Sequence, residues 1–97
     1  MSDQAFLEEV KKAIALYEQI NRHYASRTRQ MIADLGDIEA LSRLMVSPDL
    51  QQGFQALRDA GKLDMTFESV VVRFQHLFRP DIVEAAQWRL MHPYQLL

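Results

Sequence analysis

The sequence predicts an all-α protein, with one long N-terminal amphipathic helix and a compact body of about four shorter helices, paired as a helical-bundle homodimer. Three observations carry that expectation. Apolar residues recur at steps of three and four rather than two, and capping residues, Gly and Pro punctuate the chain at helix-length intervals. The first apolar seam is also longer than a domain of 97 residues can cover by itself.

That seam runs from Phe6 through Val10, Ala13, Tyr17, Ile20 and Tyr24 to Met31 and Leu35. Its first steps alternate four and three, as a heptad seam does. It fails once, where Arg27 and Thr28 occupy the next apolar slot. Leu7, Ile14 and Ile32 widen the stripe to the width a globular helix needs. Glu8 before Lys12 and Glu18 before Arg22 stand in the favourable i,i+4 order. Ser2 can cap the start, Gly36 can close the end, and no Gly or Pro lies between, so one helix is expected over residues 3–35. At about 1.5 Å per residue this is a rod of roughly 50 Å. A globule of about 100 residues is only roughly 33 Å across. The overhanging stripe would be an apolar patch for a second copy to cover, at roughly 1.5–3 kcal/mol for each large side chain. The expected dimer interface is therefore Phe6, Val10, Ala13, Tyr17, Ile20 and Tyr24. In the competing reading the helix breaks near residues 25–30 and its halves fold back in a monomer.

The body follows over residues 37–91. Asp37 can cap a helix from Ile38 to Met45 that turns Ile38, Leu41, Leu44 and Met45 inward. Ser47-Pro48-Asp49 is a start signal for a helix that buries Leu50, Phe54 and Leu57 and stops at Gly61. Gly53 inside it costs about 1 kcal/mol relative to alanine and is read as admitting a close neighbouring helix. Thr66 can cap a helix over 67–78, where Val70-Val71-Val72 alone would suggest a strand but the wider spacing is helical. Pro80 opens a last helix to Met91 that buries Ile82, Val83, Ala86 and Leu90, with Trp88 on or beside the stripe. Pro93 stops it. The apolar tail, residues 92–97, is expected to dock on the body or on a partner subunit. The whole reads as a single all-helical domain over 1–97.

Composition bounds the function. An apolar share of 48% and a charged share of 25% are those of a globular domain rather than a disordered chain. The absence of cysteine removes disulfides, thiolate metal sites and thiol nucleophiles. The opening MSDQAFLEE lacks the basic-then-apolar layout of a secretion signal, and no apolar run is long enough to span a bilayer, so a cytoplasmic protein is expected. A net charge of −2 disfavours a general binder of nucleic acid or anionic membrane.

Few residues cluster in a way that asks for chemistry. Arg22, His23, Arg27 and Arg29 have no acid among them, and Arg22 and Arg29 would share a face of a continuous helix. They are a candidate anion contact, although a solvated face balanced by Asp34 and Asp37 is the simpler reading. Residues 38–63 resemble a helix-turn-helix, which implies a second helix in the major groove reading bases through Gln51, Gln52 and Gln55. Five acids against three bases between Asp37 and Asp64 oppose that use. His23, His76 and His92 are too far apart to be a helical metal pair. Asp81 and Glu84 fit compensation of a helix dipole, and no serine sits in a nucleophile elbow. No catalytic residue, metal ligand or cofactor is assigned. Phe54, Phe67, Phe74, Phe78, Trp88, Met45, Met65 and Met91 could line an apolar pocket, but at these spacings they read first as core. The expected function is a non-enzymatic interaction or adaptor protein that self-associates through its first helix. The alternatives are a small DNA-binding regulator using 38–63 and a helical binder of an apolar small molecule.

Overall fold

The three-and-four spacing is realised as helix. A computed structural model describes residues 4–47 and 50–95, the side chains at 50 and 51 excepted. Helix α1 spans Gln4–Asn21, α2 Ser26–Leu35, α3 Asp37–Met45, α4 Leu50–Asp59, α5 Phe67–Arg73 and α6 Pro80–Met91. Short 3-10 turns at Leu63–Met65 and Gln75–Leu77 flank α5, and no strand occurs among the described residues. The expected caps at Ser2 and Pro48-Asp49, the burial of Leu50 and the end of the tail at Leu96 and Leu97 lie outside the described residues.

The single helix expected over 3–35 is corrected to two. Arg22 takes a left-handed φ of 54°, which stops α1, and the chain turns before α2 begins at Ser26. Glu18 supplies the cap that the local sequence lacks. Its Oε2 accepts from the Ala25 N–H and from Arg29 Nε, both at 2.8 Å, and its Oε1 accepts from Arg29 Nη2 at 2.8 Å. The turn brings Ala25, Met31 and Ile32 back against the core. No rod overhangs, because the molecule measures only 34 × 27 × 20 Å. Phe6, Val10 and Ala13 are consequently 1%, 1% and 2% exposed, inside their own chain rather than on an open seam.

One residue joins α2 to α3. The Gly36 N–H donates to Ile32 O at 2.8 Å and its carbonyl accepts from the Ala40 N–H at 3.0 Å, at φ 85° and ψ 162°. That region is open in practice to glycine alone. Helix α3 buries Ala40, Leu41, Leu44 and Met45, whereas Ile38, expected inside, is 37% exposed. Helix α4 buries Phe54 and Leu57 and ends in a Schellman turn. There Lys62 N–H donates to Leu57 O and Gly61 N–H to Arg58 O, with Gly61 at φ 74°.

Thr66 caps α5 as expected, its Oγ1 accepting from the Ser69 N–H at 3.2 Å. The valine run is helical, with Val70 and Val71 in the core, but α5 ends at Arg73 and the chain tightens into the second 3-10 turn. The expected helix over 67–78 is thus shortened. Pro80 opens α6, whose inner stripe is Ile82, Val83, Ala86 and then Arg89 instead of Leu90; Trp88 lies outside it, 46% exposed.

The core gathers α1, α3, α5 and α6. Phe6 meets Phe74 and Phe78 edge-on at 5.5 and 5.8 Å between ring centres, among Val10, Leu41, Met45, Val71 and Ile82. Arg89 then ties three helices together. Its Nη1 donates to Glu68 Oε2 at 3.0 Å and to Leu44 O at 3.4 Å, and its Nη2 donates to Ser47 O at 3.4 Å. One guanidinium thus serves the carbonyl end of α3 while pairing with an acid of α5. Arg58 of α4 lies 4.6 Å over the Tyr94 ring and donates to Pro93 O at 2.8 Å, which docks the start of the tail on the body.

Candidate functional site: a cleft behind the α1–α2 turn

Because α1 stops short and α2 turns back, a cleft of about 290 Å³ opens between α1, α2, α4 and the start of α5. Ile14 and Tyr17 of α1 form one wall, and Gly53, Phe54 and Leu57 of α4 the facing one. Met31 of α2, Leu44 of α3 and Phe67 of α5 complete the apolar lining. The polar groups collect at the turn, where His23, Tyr24, Ser26, Arg27 and Thr28 line the cleft, and at its other side, where Thr66 and Glu68 do so. An engineered cavity of roughly 150 Å³ in another protein admits benzene, so this space suits one or two rings.

Gly53 has a different role from the one expected. A Cβ placed on it would meet the Tyr17 ring at 3.8 Å, which is ordinary contact, so no packing helix demands a glycine there. Gly53 and Tyr17 both line the cleft, with the Tyr17 ring at contact distance from where a Cβ would stand.

Glu68 is the acid of the lining. It is 0% exposed, its Oε2 is held by Arg89, and its Oε1 has no hydrogen-bond partner. Burial pushes its carboxyl above the ordinary carboxylate range, and the Arg89 hydrogen bond opposes that push. At the turn the balance is reversed. The Arg29 and Ala25 hydrogen bonds bring the Glu18 carboxyl down to about 2.

The six residues expected to form a dimer interface divide between α1 and the turn that follows it. Phe6, Val10 and Ala13 are core, Tyr17 is a half-buried cleft wall, and Ile20 and Tyr24 are exposed at 36% and 64%. The shared helix face expected of Arg22 and Arg29, the candidate anion contact, is corrected. The break places Arg22 on the turn and Arg29 on α2, so no common helix face holds them. Arg29 is engaged by both oxygens of Glu18 and lies 4.8 Å over the Tyr24 ring. In the segment 38–63, α3 packs on α2, α5 and α6, while α4 packs on α1 and the 3-10 turn after it. The two helices thus have different main packing partners, although both contribute to the lining of the cleft.

Of the histidines, His23 lines the cleft, His76 lies beside Phe74, and His92 stacks on Trp88 at 4.5 Å. Among the described residues no group of three or more His, Asp or Glu could hold a metal ion. None of the described helices is long and apolar enough to cross a membrane. The fold and the cleft define a small helical protein with a largely apolar recess among the described residues. Searches of protein families, curated proteins and solved structures find no match to the chain.

Proposed function

We propose that this protein is a non-enzymatic helical binding domain that holds a small apolar molecule in the cleft between α1, α2 and α4. The observation that carries the reading is Gly53. A helix-interior glycine costs about 1 kcal/mol relative to alanine, a methyl group there would only reach ordinary contact with the Tyr17 ring, and the glycine stands in the lining of the cleft. The lining fits the role, since ligand recesses are mostly apolar with a few polar groups at defined places. The test is a fragment titration followed by amide NMR. One- and two-ring probes should shift Tyr17, Gly53 and Phe67 in the natural protein. Gly53→Leu, which fills the space from α4, should keep the fold and remove the shifts. Equal shifts in both proteins would sink the reading.

A second reading keeps the self-association expected from the sequence but moves it off α1. Trp88 and Met91 stand three apart on α6, 46% and 74% exposed, the arrangement of a small apolar face. Light scattering decides it: a dimer mass that Met91→Glu halves supports the face, and a monomer mass rejects it.

A further inference from the structure

Helix α2 forms one side of the cleft without belonging to the core. It lends Ser26, Arg27, Thr28 and Met31 to the lining, yet none of its ten residues is buried. It packs chiefly on α3, and its contacts with the core are those of Met31 and Ile32, both half-buried. The α4 wall, by contrast, is nearly shut off from solvent, with Phe54 1% and Leu57 4% exposed. Of the sides of the cleft, α2 is therefore the one that can move away while the core stays packed.

Both ends of α2 suit such a movement. At its C-terminal end the Gly36 N–H is bonded to Ile32 O of α2, and the Gly36 carbonyl to the Ala40 N–H of α3. Rotation about the two Gly36 dihedrals swings one helix against the other with both bonds intact. Glycine gives that rotation its widest range, and a Cβ there would meet nothing within 4 Å. At the other end Arg22, His23 and Tyr24 of the turn are exposed, so the chain there can follow. The hold on α1 is the Glu18 carboxylate, which takes the Ala25 N–H and two Arg29 donors, all at 2.8 Å. Charge-assisted pairing to both oxygens defines one closed position. The Glu18 and Arg29 side chains remain 18% and 41% accessible, so water can replace each bond as it breaks, and opening costs far less than for a buried pair. We propose that α2 is a lid on the cleft, hinged at Gly36 and latched to α1 by Glu18, and that an apolar molecule enters and leaves when the latch opens. The inference rests on the binding role of the cleft for its purpose, while the motion itself is observable without a ligand.

The chain has no cysteine, so a single introduced thiol can report the motion. Leu57→Cys places it on the cleft wall, and Val71→Cys in the core outside the cleft lining. Each is labelled in native conditions with dithiodipyridine, a neutral two-ring disulfide whose thione product is read by absorbance. Adding Glu18→Ala should speed labelling of the cleft thiol about tenfold, the scale of losing a hydrogen bond to a charged group. The rate at the core thiol should stay within about twofold, because lid opening leaves the core closed. If Glu18→Ala does not fold, Arg29→Gln opens the same latch from α2; if Leu57→Cys does not fold, Ala13→Cys supplies a second cleft thiol. Equal acceleration of both thiols would overturn the lid, since Glu18 would then be holding the whole fold. No acceleration of the cleft thiol would overturn it too, as would labelling of that thiol at the rate of a free one while Glu18 is intact. No ligand is present in these measurements, so the lid can fail while the cleft reading stands, and the probe titration of the natural protein and Gly53→Leu decides the latter separately.

Discussion

Glu18 carries the turn between α1 and α2, and falling pH should weaken that turn. Its carboxyl lies at about 2 in the folded chain against an ordinary 4.5, because Arg29 and the Ala25 N–H hold the charged form. A depressed carboxylate stabilises the fold fully above the ordinary value, and that contribution falls away as pH drops from about 4.5 toward 2. Carboxyl NMR should place the Glu18 midpoint near 2 and show the Ala25 amide moving with it; a midpoint near 4.5 would mean that the pairing is absent. Glu18→Gln should abolish the acid response of that amide. At Gly36 the constraint is backbone alone, since a Cβ there would meet nothing within 4 Å. Gly36→Ala should therefore cost about 1–3 kcal/mol purely through φ and ψ, read from the denaturant midpoint at an unchanged slope.

Most elements were legible because their signals are local. Thr66, Gly61 and Pro80 cap or punctuate where the chain can be read residue by residue, and α3 to α6 lie close to their expected places. The break at Arg22 was not legible, for a physical reason. No Gly or Pro marks it, and its cap is a side chain seven residues upstream whose value appears only once the turn exists. The interruption of the seam at Arg27 and Thr28 was the one sign of it. Arg89 was missed similarly: an arginine on an inner stripe is explained only by Glu68 and two carbonyls brought in by other helices. Helix α2 is the element held least firmly, since none of its residues is fully buried. Its amides should exchange faster than those of α1 and α5 by at least tenfold in native conditions. Uniform protection across the three helices would contradict that ranking.

For the molecule as a whole, the break in the first helix changes what its apolar seam is for. Phe6 is packed between two phenylalanines of its own chain, so Phe6→Ala should cost about 3–5 kcal/mol of folding stability. A calorimetric scan with light scattering should show a lower melting temperature at unchanged mass; a stable fold of halved mass would restore an intermolecular seam. The cleft was invisible in the sequence because its lining comes from five helices and two connections, and each residue alone reads as core or surface. Arg89 has one more consequence. By clasping the end of α3 to α5 and α6 it should make those three melt together, and Trp88, the chain's single tryptophan, is its immediate neighbour on α6. Fluorescence from that indole will report the collapse of the clasped block and stay silent while α2 loosens. An observer relying on it alone would record the loss of that block and miss any earlier loosening of α2.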